Sequence, residues 1–315
     1  MARQDHTIAI FSPHLTLTVT IEAGRDDGPD DIHIHPGGQG FWVARMLRHL
    51  KEKPLLCGPI GGESGGVLRT LIDQWGIDLS PVEVQESSPA IVQDRRSGDR
   101  TSIAVAPAPS LARHELDDAY GKILDHALSS EVVVITGQNT EIVPVDTYRR
   151  LGHDLASAEV TVVGDLHGLE LAAFLEGGHL DLLKISDEDL IEDGALTDEQ
   201  EDGALDQLHR LSESGAKKVV ISRGPRPALA LIDEVTYRVT GPDLEPADYR
   251  GAGDSMTAGL AAGMRRGLPT EDLLRLASGA GAANVTRHGL GSASDDLIPR
   301  LAERVAIETL TPLPQ

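Results

Sequence analysis

The sequence predicts an α/β fold in which helices cover a mainly parallel sheet and a small second β-sheet forms a lid beside it. Three observations carry this. Short β-rich runs alternate with helical stretches along the chain, as βαβ units do. Runs such as Val-Val-Val-Ile-Thr at 132–136 and Val-Val-Ile-Ser at 219–222 are almost continuously apolar, the pattern of parallel strands buried on both faces. Two other segments instead alternate polar and apolar residues, the pattern of antiparallel hairpins with two unlike faces.

Taken in order, main-sheet strands are expected at residues 7–11, 54–58, 131–136, 160–165, 180–185, 218–222 and 228–233. Helices are expected at 40–50, 65–75, 113–128, 200–214 and 255–266. The first alternating segment sets Leu15, Leu17, Val19 and Ile21 on one face against Thr16, Thr18 and Thr20 on the other. Residues 24–30 are then turn-rich, and Ile32 and Ile34 alternate with His33 and His35. Residues 90–105 repeat the idea around an Arg-Ser-Gly-Asp turn. The expectation is one domain over residues 1–315, with lid strands from about 14–36 and 90–106. Edge strands of the main sheet are the alternative reading of both hairpins.

The 315 residues are 40% apolar, enough for a sizeable core, so wholesale disorder is excluded. Lys+Arg 28 against Asp+Glu 50 leaves a net charge of −22. Such a field repels phosphate backbones, and with no concentrated basic patch to oppose it no nucleic-acid partner is expected. A single cysteine, Cys57, excludes an internal disulfide framework and a clustered Cys zinc site; its buried-strand setting predicts an inert thiol. No apolar run reaches membrane-spanning length and the first residues lack a signal-peptide core, so no membrane partner and a cytoplasmic location are expected.

The segment Arg250-Gly-Ala-Gly-Asp-Ser-Met-Thr-Ala-Gly259 opens the helix expected to run to Arg266. Gly251 and Gly253 permit a tight turn whose amides, with Ala252, can face a developing negative charge at the helix N-terminus. Asp254 at its edge could take a proton from an attacking hydroxyl, and base plus anion hole is what phosphoryl transfer to an alcohol needs. An Asp in a first helical turn after glycine is also common for purely local reasons, so spacing alone leaves both readings open. A second segment, Pro36-Gly-Gly-Gln-Gly-Phe-Trp, places glycines ahead of an amphipathic helix; it reads as a close-approach loop or a packing turn, and not as a P-loop. His33 and His35 share one face of the first hairpin but have no evident third ligand for a metal.

Together these two segments resemble the paired signatures of the PfkB, or ribokinase-like, family of carbohydrate kinases. The Gly-Asp-Ser-Met form most resembles the branch containing 1-phosphofructokinase and tagatose-6-phosphate kinase. The resemblance runs through the chain in order: Ser12-Pro-His-Leu, Thr136-Gly137 with Pro144, Asp165 with Gly168, Leu183-Lys-Ile-Ser-Asp-Glu-Asp-Leu190 and Ser222-Arg-Gly224 each resemble a family segment. It implies a ribokinase-like fold, with Asp254 as catalytic base and Gly251, Ala252 and Gly253 as anion hole. It implies an ATP site lined by Lys184, Ser186, Ser222, Gly224, Ser278 and Ala282, the last two on a helix at residues 276–285. Asp189 stands where the family's indirect magnesium carboxylate stands, so ATP and Mg2+ are the expected cofactors.

On the acceptor side the resemblance implies Thr16, Gly37, Gly38, Gln39, Trp42 and Arg100, with Arg100 a candidate phosphate clamp. Here the chain departs from the branch: Thr16 replaces an Asp, Gln39 a Lys, Trp42 an Asn, and Ser186 the Asn of the nucleotide motif. Trp42 could reshape a pocket or simply pack in the core. Arg250, just before the anion hole, is also unusual, and could steer a phosphate or be solvated. The expected activity is ATP-dependent phosphorylation of a hydroxyl on a sugar or sugar-phosphate-like acceptor. The alternative is a nucleotide- or metabolite-binding regulator that has lost kinase activity. A homodimer through the lid is expected, because the alternating apolar face of residues 15–21 needs a partner.

Overall fold

The computed structural model describes residues 6–24, 28–137, 142–287 and 291–310. Strands follow in chain order as β1 (Ile8–Phe11), β2 (Thr16–Glu22), β3 (Asp31–Gly37), β4 (Pro54–Ile60), β5 (Asp78–Glu83), β6 (Ala90–Asp94) and β7 (Thr101–Ala106). After these come β8 (Val132–Thr136), β9 (Val162–Asp165), β10 (Leu182–Ser186), β11 (Lys218–Arg223), β12 (Arg226–Ile232), β13 (Val235–Thr240) and β14 (Ala306–Leu310). The helices are α1 (Gln39–His49), α2 (Gly62–Gln74), α3 (Arg113–Ser129), α4 (Val145–Ser157), α5 (Gly168–Gly177), α6 (Asp187–Glu192), α7 (Glu201–Glu213), α8 (Ala252–Arg265), α9 (Thr270–Val285) and α10 (Leu297–Ala302).

The main sheet has ten strands among the described residues, in the order β14-β13-β12-β11-β10-β9-β8-β1-β4-β5. Neighbours from β5 to β11 are parallel, and β12, β13 and β14 close that edge antiparallel. Alternation along each strand feeds two cores. In β1, Ile8 and Ile10 face α1, α8 and α9, while Ala9 and Phe11 face α3, α4 and α5. Both faces are covered, which is why these strands read as apolar runs.

All seven anticipated main-sheet strands form, and β5, β13 and β14 join them. Of these, β5 and β14 are the two edges and β13 lies one strand in; most of their residues are half-exposed or exposed, so no apolar run marks them. The β12–β13 turn is made by Asp233 and Glu234, both at positive φ (51° and 66°), without the Asn-Gly or Asp-Gly pair that usually announces such a hairpin. Helix α8 begins at Ala252 and α9 at Thr270, both earlier than the sequence pattern indicated.

The two alternating segments form a separate four-stranded sheet, β3-β2-β6-β7, rather than edges of the main one. Each hairpin is antiparallel, but β2 and β6 join them in parallel. Its inward face is the hydroxyl face: Thr16, Thr18 and Thr20 are buried, whereas Leu17, Val19 and Ile21 are only half-buried. Register places Ile34 beside Val19 and Ile32 beside Ile21 on that outer face, where Ile34 is 53% and Ile32 60% exposed. The middle of the residue 24–30 turn, residues 25–27, lies outside the described residues, as do residues 138–141 of the Thr136–Pro144 segment.

Cys57 sits in β4, 1% exposed, and burial pushes its thiol up to about 12. No helix among the described residues is long and apolar enough to cross a membrane.

Candidate active site

The carboxyl ends of β8, β9, β10 and β11 converge on a cavity of about 780 Å³, the place where open α/β sheets present their sites. In-register pairing sets Lys184 of β10 beside Asp165 of β9, and Ser186 beside Ser222 of β11. Both Lys184 and Asp165 are buried, and the Lys184 ammonium donates to Asp165 Oδ1 at 3.3 Å. The second Asp165 oxygen accepts from the Thr257 hydroxyl on α8 at 2.6 Å. Each oxygen of a buried carboxylate thus has its donor, as low dielectric requires.

Helix α8 aims its N-terminus into this cavity. Gly251, at φ 75°, is its N-cap, and the first helical bond runs from Ser255 N–H to the Gly251 carbonyl at 2.9 Å. The amides of Gly253 and Asp254 lie ahead of that ladder, where a helix presents free donors. The Ala252 amide differs from its two neighbours in reaching back to the Tyr249 carbonyl at 3.4 Å. A Cβ on Gly253 would come within 2.8 Å of the Lys184 ammonium nitrogen, so only glycine admits the lysine this close to the helix start. Asn284 of α9, fully buried, donates to the Arg250 carbonyl at 2.7 Å and accepts from Gly291 N–H at 2.7 Å, which pins the loop entering α8.

Asp254 is half-buried at the cavity floor. Withdrawal from solvent and the nearby Asp165 carboxylate push its carboxyl up to about 7; Lys184 opposes this and Asp189 adds to it. Lys184 is raised in turn: burial acts against its charge, but Asp165, Asp189 and Asp254 together outweigh burial.

On the donor side, Ser186, Ser222, Gly224, Ser278, Ala282 and Asp189 all line the same cavity as Asp254 and Lys184. Gly224 turns β11 into β12 at φ 57°. Ser186 caps α6: its hydroxyl accepts from the Asp189 amide at 3.0 Å, and the Asp189 carboxylate accepts from the Ser186 amide at 3.0 Å. On the acceptor side only Gln39 lines the cavity; a small hollow formed with Ser12, His14 and Thr136 shares it. Thr16 is buried against His14, 3.2 Å from its ring. Gly37 and Gly38 precede α1, and Gly38, at φ 105°, lets the His14 carbonyl approach to a position any Cβ would occupy. Trp42 is 7% exposed, its ring edge-on to Phe41 at 4.9 Å and tilted against His35 at 5.7 Å, so it packs under the lid and does not line the cavity. His35 is thereby turned inward, while His33 pairs with Asp31 at 3.3 Å on the surface. Arg100 reaches from the lid to Asp248 at 3.4 Å, just ahead of α8.

Sequence reasoning missed the functional positions of Thr257, Asn284 and Asp248. An Asn inside the small, apolar run Ala-Ser-Gly-Ala-Gly-Ala-Ala-Asn-Val was the available signal for Asn284, since a buried amide requires partners.

No group of three or more Asp, Glu, His or Cys close enough to hold a metal occurs among the described residues. Asp189, a carboxylate oxygen donor of the kind magnesium takes, lines the cavity.

Residues 15–297 match the pfkB family carbohydrate kinases, and the chain belongs to that family. It is therefore an ATP-dependent kinase acting on a hydroxyl of a sugar-like small molecule. The chain is 28% identical over 280 residues to the 1-phosphofructokinase of Bacillus subtilis (strain 168), covering 88% of this chain and 89% of that protein. It is also 28% identical over 308 residues to an ATP-dependent 6-phosphofructokinase isozyme 2 of Mycobacterium tuberculosis (strain ATCC 25618 / H37Rv), covering 95% and 89%. The tetrameric inhibited form of phosphofructokinase-2 from Escherichia coli superposes with a TM-score of 0.83 at 22% identity, covering 95% of this chain and 99% of that one. These relatives carry kinase names, which favours the kinase over the binding-only regulator.

Proposed function

We propose that this kinase phosphorylates a hydroxyl of a sugar phosphate or a closely similar acceptor, with Asp254 as general base. The acceptor oxygen attacks the γ-phosphorus of ATP, its proton passes to an Asp254 oxygen, and the bond from phosphorus to the bridging oxygen breaks to release ADP. The Gly253 and Asp254 amides, and Gly251 through its turn, stabilise the charge that develops on the transferred group. Lys184, held by Asp165, supports the phosphates, and Ser186, Ser222, Gly224, Ser278 and Ala282 form the nucleotide's bed. Magnesium, when bound, would be held through Asp189 and would neutralise phosphate charge. The observation that carries this reading is the half-buried Asp254 with its carboxyl near 7, beside Lys184 and at the start of α8.

We also read the enzyme as a cytoplasmic homodimer. The exposed apolar outer face of the lid supports self-association, as does the oligomeric E. coli neighbour.

The test is ADP release with MgATP across fructose, fructose 1-phosphate, fructose 6-phosphate and tagatose 6-phosphate. Turnover with at least one acceptor, lost by about 10²–10⁴-fold in Asp254→Asn while ATP binding persists, is the expected result. Retained turnover in that variant would remove Asp254 from the role.

A further inference from the structure

A group of charges that joins the lid to the loop ahead of α8 is not used by the transfer step described above. Arg95 and Arg100 flank the β6–β7 turn of the lid, and both reach Asp248 Oδ2, at 3.9 and 3.4 Å. Arg95 also meets Glu22 at 3.3 Å. The other Asp248 oxygen accepts the backbone N–H of Arg250 at 3.1 Å. The side chains of Arg95, Arg100 and Asp248 are 18%, 16% and 13% exposed, so this cluster is largely withdrawn from water.

Arg250 completes it. Its guanidinium is exposed at the edge of the 780 Å³ cavity, one residue before the glycine that caps α8, and makes no ion pair among the described residues. It lies close enough to Arg100 that, after burial, its positive charge is the largest influence lowering that guanidinium's pKa, with Arg95 next. Arg95 and Arg100 thus share two carboxylates, and the unpaired Arg250 beside them leaves a local excess of one positive charge in a chain of net charge −22. Arg95 and Arg100 are partly withdrawn from water and Arg250 stands exposed beside them, so an anion arriving at Arg250 relieves the repulsion among the three. Gln39, the acceptor-side residue in the cavity, is neutral and supplies no countercharge.

We propose that Arg250 is a specificity-determining residue that, with Arg100 and Arg95, holds the phosphate monoester of the acceptor. Asp248 keeps Arg100 and Arg95 oriented when the site is empty, and yields Arg100 to the incoming phosphate. This rests on the kinase reading above but concerns one residue's choice of acceptor.

The test compares the parent enzyme with Arg250→Gln and Arg250→Lys on fructose and on fructose 1-phosphate, fructose 6-phosphate and tagatose 6-phosphate. The parent is expected to prefer a phosphorylated acceptor. Loss of a charge-assisted contact should raise the KM for that acceptor about tenfold to hundredfold in Arg250→Gln. The effect should fall on the acceptor KM more than on kcat, with partial recovery in Arg250→Lys and no rise in the KM for MgATP. A rise confined to MgATP would assign Arg250 to the donor phosphates and overturn the proposal. Equal use of fructose and its phosphates, or an unchanged acceptor KM in Arg250→Gln, would overturn it while leaving the kinase intact. Calorimetric titration of the same sugar phosphates without ATP separates the two claims. Arg250-dependent binding without turnover would refute the kinase and keep the grip, and no binding of any of them would refute the grip.

Discussion

The Asp254 carboxyl shows how one side chain can be tuned by what surrounds it. Its proton is held to about 7 by burial and by Asp165, so the base is fully available only above neutrality. The acid limb of kcat/KM, which reports the free enzyme, should therefore bend near pH 7, well above an ordinary carboxylate. The same shift has a consequence for stability. An Asp whose folded pKa is raised weakens the fold as pH rises from its unfolded value near 4 to about 7, and the penalty is constant above that. Asp254→Asn should melt at a higher temperature than the parent at pH 8, with the difference fading toward pH 4; calorimetry at both pH values checks this. Asp254 and its glycines were legible because their arrangement is local in sequence. Asp165 and Thr257 were not legible as a pair, since the hydrogen bond joining them spans 92 residues and follows from the packing of α8 against the end of β9.

Among the elements, the lid is where pattern and burial part company. The alternation that located β2 and β3 also suggested that the apolar face would need a partner, and the threonine face is the one turned to the body of the protein. Thr20 lies 3.3 Å from the His35 ring, and Thr16 lies against His14, so hydroxyls satisfy the ring nitrogens that a purely apolar layer would strand. The outer face keeps Ile32 and Ile34 in water. If that face joins two copies, Ile34→Lys should convert a dimer to a monomer at micromolar concentration, as read by light scattering, while a monomeric parent would remove the dimer reading. The edge strand β14 escaped sequence reading because it is half wet and its apolar residues do not alternate. By contrast β13 does alternate, Val235, Tyr237 and Val239 against Thr236, Arg238 and Thr240, a signal that sequence reasoning missed.

At the scale of the whole molecule, one buried carboxylate ties the ends of distant elements. Glu52, 2% exposed in the loop before β4, pairs with Arg265 at 2.7 Å and Arg266 at 2.8 Å at the far end of α8, and accepts from Thr7 ahead of β1. Arg266 also donates to the Leu50 carbonyl. Removing Glu52 takes charge-assisted contacts from two guanidiniums that keep some solvent, so Glu52→Ala should cost about 2 kcal/mol of unfolding free energy in a urea titration. Because α8 carries Asp254 at its opposite end, a rise in acceptor KM should accompany the loss.

Cys57 lies in β4, one strand in from the β5 edge of the main sheet, 1% exposed and with a thiol that burial pushes up to about 12. Both protections belong to the intact fold: once the sheet opens, the sulfur gains solvent and an ordinary pKa, and it reacts with a disulfide dye at the usual rate. The single sulfhydryl thus serves as a built-in clock for global opening. In excess reagent at pH 8 the native enzyme should label at the pace of its own unfolding, and any ligand that slows that opening should slow the colour change in proportion.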